Sequence, residues 1–172
     1  MHVPAQVGWL LAGVCALAGA LCLARARQAV RAGARQAGRR PAEAAAAEAV
    51  MGFAMALMAI PGGVLPDAAH VAVFGALALW ALTLGLRGAP HQFHHLIEAA
   101  AMAWLMLPLG SGHGGGPPAV AGALLAYFCA RAVLGGVRLL PAPAGRPGSG
   151  TAEVAEACRL MLTVAMCAMV LG

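Results

Sequence analysis

Long apolar stretches dominate the chain and alternate with short segments rich in Gly, Pro or Arg. Six such stretches can be drawn, at about residues 7–24, 42–65, 68–86, 91–109, 118–140 and 152–171. Each has about 18–24 residues, which is enough for a helix to cross a hydrocarbon core of roughly 30 Å. The pattern predicts an all-α fold, a polytopic transmembrane helix bundle of about six spans that forms a single integral membrane domain over residues 1–172.

Composition supports this prediction. Of the 172 residues, 62% are hydrophobic and 10% are charged, whereas soluble domains carry about 25% charged residues. Turn-forming residues such as Pro61-Gly62-Gly63 stand between the stretches,. A lipid bilayer is therefore the predicted environment, and the plasma membrane of a bacterium (the inner membrane) is the predicted location.

Arginine is distributed on one side of the predicted bundle. The chain has 11 basic residues. Nine of them fall in or beside the first, third and fifth connections, including the Arg-rich loop at residues 25–41. The second and fourth connections contain none. By the positive-inside rule, the arginine-bearing loops face the cytoplasm and both termini lie outside.

A polar face interrupts the apolar pattern at the start of the fourth stretch. His91, His94, His95, Glu98 and Met102 follow one another at helical spacings of three, four and seven. Such residues lie one above the other on one side of a helix. Ionisable side chains inside a membrane are costly, so their default interpretation is functional.

The second stretch repeats this arrangement. Aligning Met55 with Met102 matches Ala-Met-Ala in both, and it sets Glu48 opposite His95 and Met51 opposite Glu98. A weaker copy occurs in the last stretch, where Met161, Met166 and Met169 follow Arg159. All three stretches are predicted to enter from the cytoplasm, so each would place a polar group near the inner leaflet and methionines farther out.

Several charged residues are predicted to share one depth. Glu48, Glu98 and Arg159 each lie about seven residues into their stretches, which is roughly 10 Å of helical rise, and Arg131 reaches a similar level from the opposite direction. Isolated charges at that depth would be far more costly than paired ones. We therefore expect a charge-pair layer in which Arg131, Glu156 and Arg159 meet the glutamates and histidines.

Metal handling is the first functional hypothesis for this layer. Methionine thioethers suit Cu(I), and imidazole suits several transition metals. The predicted function is to bind or move a soft metal ion such as copper, through a set of eight candidate ligands: His91, His94, His95, Glu98, Met102, Glu48, Met51 and Met55.

Three alternatives stay open. The polar layer could only hold the bundle together, in a structural or assembly membrane protein that works as a homo-oligomer or with a partner membrane protein. It could form a small intramembrane metalloenzyme, although the chain has no P-loop, nucleophile elbow or HExxH motif. Haem ligation is disfavoured because the histidines cluster on one helix. Nucleic acid is not an expected partner, because the arginine-rich loop lacks interleaved aromatic residues.

At its repeated Ala-Met-Ala segments, the chain resembles a family of small actinobacterial integral membrane proteins classed as a domain of unknown function. The likeness covers about residues 7–169. It rests on the Arg-rich first loop and on His or Glu followed by Met-Ala-x-Met in successive helices. The resemblance implies five or six spans and no assigned catalytic activity. Where the family pattern opens such helices with histidine, this chain has Glu48 and Arg159.

Overall fold

The computed structural model is all-helical in the part of the chain that it describes, residues 5–33, 40–88, 92–107, 117–139 and 150–171. Six helices follow one another: α1 (Ala5–Gly33), α2 (Arg40–Ala59), α3 (Asp67–Leu86), α4 (Gln92–Leu105), α5 (Pro118–Leu139) and α6 (Gly150–Leu171). These described ranges contain no strand. The predicted α-helical bundle is confirmed.

Five of the six helices, all except α4, are long and apolar enough to cross a membrane. Helix α4 has 14 residues, which corresponds to about 21 Å of rise, and is shorter than the roughly 30 Å of a hydrocarbon core. The chain is therefore a multi-pass membrane protein with five candidate spans among the described residues, and its orientation stays a prediction.

The C-terminal ends of α1 and α2 are among those that differ from the predicted boundaries. Helix α1 runs to Gly33, nine residues into the segment predicted as an Arg-rich loop, because alanine, arginine and glutamine there are good helix formers. Helix α2 ends at Ala59 rather than near Leu65. Pro61 follows, and Gly62 and Gly63 take the left-handed φ values of 95° and 65° that suit glycine in a turn,.

Some predicted positions lie outside the described residues. They are residues 34–39 of the Arg-rich loop, His91 and residues 108–109 at the two ends of the fourth stretch, and residue 140 at the end of the fifth.

The helices pack mainly as sequence neighbours. Helix α1 packs on α2 and α6, α3 packs on α4, and α5 packs on α6, while α2 also contacts α3 and α4. The main core contains Met51, Met55, Phe74, Met102 and Met166, and all of these side chains are at most 2% exposed. Thioethers and aromatic rings thus contribute to the centre of the bundle, consistent with the adaptability of methionine as a core residue.

A close approach of α1 and α2 depends on two glycines. A Cβ atom added at Gly52 would lie 2.9 Å from both Cα and N of Gly19 and 3.0 Å from the carbonyl oxygen of Cys15. Only glycine fits at that distance, because the atoms it would meet belong to the backbone. This contact brings the last turns of α1 beside α2, where Arg25 reaches Glu48.

Candidate functional site

The polar side chains meet around the first half of α4. His94, His95 and Glu98 are buried there, with at most 5% exposure. Their spacing of three and four residues places them on one face of the helix. Together with the buried Glu48 of α2 they form what we call the His/Glu network: Glu48, His94, His95 and Glu98.

Glu98 binds both histidines of its own helix. Its Oε2 lies 2.8 Å from Nδ1 of His95, and its Oε1 lies 3.1 Å from Nε2 of His94. Each carboxylate oxygen therefore faces a different imidazole. Glu98 is 1% exposed, so these bonds act where water does not compete with them.

Glu48 joins three further helices to this face. Its Oε1 lies 3.3 Å from Nε2 of His95 on α4 and accepts from Nε of Arg159 on α6 at 3.1 Å. Its Oε2 accepts from a terminal guanidinium nitrogen of Arg25 on α1 at 3.0 Å. The Sγ of Cys22 donates to the same oxygen at 3.7 Å. One carboxylate of α2 thus connects α1, α4 and α6.

His94 extends the network toward α5. Its Nδ1 lies 3.0 Å from the hydroxyl of Tyr127. Its Nε2, besides meeting Glu98, lies 3.2 Å from the hydroxyl of Thr163 on α6. Phe128, which is fully buried, packs edge-on against the rings of His94 and Tyr127. His94 therefore has a hydrogen-bond partner at each ring nitrogen.

The two partners of His95 determine how many protons the site must hold. A neutral imidazole carries one N–H and can donate to only one of two carboxylates. Both nitrogens of His95 face carboxylate oxygens, those of Glu98 and Glu48. Without an additional proton, one imidazole lone pair would face a carboxylate lone pair. The geometry therefore calls for one extra proton, either on His95 or on a carboxylate that faces it.

A second, more exposed group of charges borders the network. A terminal guanidinium nitrogen of Arg159 donates to Glu156 at 3.1 Å, and Arg138 approaches the other oxygen of Glu156 at 3.8 Å. The side chain of Arg138 is 56% exposed and that of Glu156 is 22% exposed. Arg131, predicted to share the charge-pair layer, forms no ion pair with any acidic side chain that the structure describes.

The eight predicted metal ligands are only partly brought together. Glu48, His94, His95 and Glu98 form the network, while Met51, Met55 and Met102 lie in the adjoining apolar core. His91 lies outside the described residues. In the described ranges, no group of three or more His, Cys, Asp or Glu side chains is arranged to hold a metal ion.

Four contacts of the network were absent from the sequence-based prediction: Cys22, Arg25, Tyr127 and Thr163. For two of them, the position in the sequence could have predicted the contact. Tyr127, the chain's one tyrosine, lies one helical turn before Arg131, and Thr163 lies one turn after Arg159. Polar residues one turn from an intramembrane charge share its helical face. Arg25 carried no comparable signal, because it belonged to a segment predicted as a loop.

One comparison with known proteins identifies a family. Residues 40–172 match the model of a family described as Domain of unknown function (DUF5134). The match covers α2 to α6 and hence all four residues of the His/Glu network, so the chain belongs to this family. No curated protein and no solved structure matches the chain.

Proposed function

We propose that this member of the DUF5134 family handles protons inside the membrane. The His/Glu network would hold one labile proton and pass it between Glu48 and the hydroxyl of Tyr127. Chains of Glu and His are a recurrent means of moving protons through membrane interiors.

One observation carries the proposal: both histidines bridge their neighbours through both ring nitrogens. Tyr127, His94, Glu98, His95 and Glu48 follow one another with no link longer than 3.3 Å. An imidazole can accept a proton at one nitrogen and release another from the second. A carboxylate can do the same through its two oxygens. The path therefore has no missing step among these five groups.

Each end of the path lies at or beside a side chain that is less buried than the middle of the path. The side chain of Arg25, beside Glu48, is 21% exposed, and Tyr127 is half-buried. Beyond Glu98, the same face of α4 continues with the apolar and fully buried Met102. This arrangement supports proton uptake from the side of the membrane where Arg25 lies, which is the cytoplasmic side by the arginine distribution.

The proposal predicts a transient current. Proteoliposomes adsorbed on a solid-supported membrane are given a rapid pH jump, and the displaced charge is recorded. A proton that enters a buried site moves through the low-dielectric interior and so displaces charge. We expect a transient for the wild type, none for Glu98→Gln or His95→Gln, and a reduced one for Tyr127→Phe.

His70→Gln is the matched control. His70 is 5% exposed, and its ring nitrogens have no hydrogen-bond partner among the described residues, so this buried histidine stands apart from the network. The control should keep the wild-type transient. A wild-type signal no larger than that of protein-free liposomes would overturn the proposal and favour the structural alternative, in which the paired charges only hold the bundle together. Tyr127→Phe, at a half-buried position, is the variant least prone to misfold.

Soft-metal binding is the second candidate, supported by the buried thioethers. Met51, Met55, Met102 and Met166 are at most 2% exposed and belong to one core cluster, and Met102 lies one turn beyond Glu98. Thioether ligands suit Cu(I). Against the predicted use of the carboxylates as ligands, both oxygens of Glu48 already accept from arginines, whose positive charge opposes a nearby cation.

Metal analysis of purified protein tests this candidate. Wild type, Met102→Ala and His95→Ala are loaded with Cu(I), freed of excess metal and measured by mass spectrometry. Copper retained by the wild type and lost by Met102→Ala supports a thioether site. Loss in His95→Ala as well would extend the site to the imidazole. No retained copper in the wild type removes the metal hypothesis.

The proposal also concerns location and assembly. Five long apolar helices and the one-sided arginines support the plasma membrane of a bacterium as the location,. The predicted placement of both termini outside requires that the shorter α4 also crosses the membrane, as a sixth span. A homo-oligomer or a partner membrane protein belongs to the structural alternative, in which the paired charges only hold the bundle together.

A further inference from the structure

Arg131 differs from the other arginines around the His/Glu network. Arg25, Arg138 and Arg159 each lie within 4 Å of a carboxylate. Arg131 has no such partner in the described residues, which include all six acidic side chains of the chain. Its Nε is buried and makes no hydrogen bond within that part of the chain.

The charges around Arg131 do not balance within the protein. Two carboxylates, those of Glu48 and Glu156, face the three paired arginines, while the carboxylate of Glu98 faces the two histidines. Arg131 adds a fourth positive charge, and the imidazoles can only add more. The side chain of Arg131 is partly buried, and a partly buried guanidinium without a counter-charge is disfavoured. A bound anion would supply the counter-charge.

The position of Arg131 on α5 indicates where such an anion comes from. Phe128 is the buried residue of this helix, while Val133, Leu134 and Val137 are more than half exposed. Arg131 lies eight residues before the end of α5, about 12 Å along its axis. Long arginine side chains in this zone extend toward the headgroups. An anion that reaches Arg131 along α5 therefore comes from the lipid side.

We propose that Arg131 binds the phosphate group of an anionic phospholipid whose acyl chains lie on the exposed apolar face of α5. A guanidinium matches a phosphate through two parallel N–H···O bonds. Tyr127 lies one turn earlier on the same face, so the headgroup would sit beside the α5 end of the His/Glu network. The inference does not depend on proton relay, because it rests on charge balance and on the exposure of α5.

Lipid binding by the delipidated full-length protein tests the proposal. Protein in dodecyl maltoside is titrated with phosphatidylglycerol, with phosphatidylcholine or with inorganic phosphate. Bound lipid is counted by native mass spectrometry, and the shift in melting temperature is measured in parallel. We expect phosphatidylglycerol to bind and stabilise the wild type. Phosphatidylcholine and inorganic phosphate should have little effect at the same concentration.

The variants distinguish specific lipid binding at Arg131 from a general attraction of anionic lipids to arginine. Arg131→Gln should weaken phosphatidylglycerol binding about tenfold or more, since it removes charge-assisted hydrogen bonds. Arg131→Lys should fall between Arg131→Gln and the wild type, because it keeps the charge but loses the paired geometry. Arg138→Gln, on the same helix but exposed and paired with Glu156, should bind nearly as the wild type does.

Two results would overturn the inference. Phosphatidylglycerol that binds Arg131→Gln as tightly as the wild type would exclude Arg131 as its site. Inorganic phosphate that stabilises the wild type as much as the lipid does would replace the lipid with a free anion. Arg131→Lys keeps a positive charge at the position and supplies the comparison if Arg131→Gln does not fold.

Discussion

Helices α4 and α5 are opposites in both length and burial. Helix α4 has 14 residues, of which seven are buried, including His94, His95 and Glu98. Helix α5 has 22 residues, and Phe128 is the buried one. By length and apolar composition α5 is a candidate membrane span, whereas α4 is not. Yet α4 supplies three of the four residues of the His/Glu network.

The difference shows that the length of an apolar helix does not indicate whether the helix carries the polar site. The two properties have different physical requirements. A long helix that faces lipid must be apolar where the acyl chains contact it, because acyl chains cannot satisfy polar groups. A helix enclosed by other helices can carry charges, provided that its neighbours supply partners. Helix α4 meets this condition through Glu48, Tyr127 and Thr163. Mutations in the two helices should therefore have very different effects on stability.

The largest effect is expected for Glu98→Ala on α4. The change leaves His94 and His95 without their shared acceptor in a buried site, and breaking a buried pair in this way costs about 3–5 kcal/mol. Val133→Ala on the exposed face of α5 should stay within about 0.5 kcal/mol of the wild type. Equilibrium unfolding in mixed micelles measures both. Similar losses in the two variants would contradict the contrast between α4 and α5.

Gly52→Ala should have the next largest effect. Its Cβ would press on the backbone of Gly19 and Cys15, and overpacking of this kind costs about 1–3 kcal/mol. Gly136→Ala on α5, where the added Cβ meets nothing within 4 Å, should be neutral or stabilising by up to about 1 kcal/mol through helix propensity. The same unfolding measurement decides. A Gly52→Ala protein as stable as the wild type would mean that α1 and α2 can separate freely.

A smaller loss is expected for Thr163→Val, which keeps the side-chain shape and removes the hydroxyl near His94 and Glu98. One lost hydrogen bond corresponds to about 0.5–1.5 kcal/mol. Thr83→Val is the matched control, because the hydroxyl of Thr83 is exposed and bonds only to the carbonyl oxygen of Trp80 in its own helix. Equal losses at the two positions would argue against a contribution of Thr163 to the network.

Arg138→Gln should have the smallest effect. Its ion pair with Glu156 measures 3.8 Å and is largely exposed, and such pairs contribute about 0–1 kcal/mol. Arg159→Gln should cost clearly more, since Arg159 binds both Glu48 and Glu156 at 3.1 Å. Thermal unfolding of the two variants beside the wild type tests this order. A larger loss for Arg138→Gln would reverse it.

Predictions from the sequence were most accurate where one physical term dominates. Apolar stretches long enough to cross a membrane predicted the helical bundle. Insertion into lipid depends on the composition of each segment more than on its contacts with other segments. The repeat aligns Glu48 with His95 as equivalent positions of two helices, and in the structure Nε2 of His95 lies 3.3 Å from Oε1 of Glu48. Boundaries were less accurate, because α1 continues to Gly33 through residues that are both charged and helix-forming.

Spacing along the sequence did not predict which side chains contact one another. Arg131 lies at the depth expected of the charge-pair layer, yet depth does not determine the direction in which a side chain points around its helix. Arg25 pairs with Glu48 only because Gly19 and Gly52 let α1 approach α2 closely. Tyr127 reaches His94 through the packing of α5 on α6. These contacts link residues far apart in the chain.

By itself, the sequence determined that this protein is a helical bundle in a membrane and that α4 carries a polar face, because hydrophobicity and helical period are local properties of the chain. Only the tertiary structure decided which charges meet. The rotation and separation of the helices determined that both nitrogens of His95 face carboxylates and that Arg131 has no acidic partner. Hydrogen bonds act over about 3 Å, so these outcomes depend on the packing of helices that no single segment specifies.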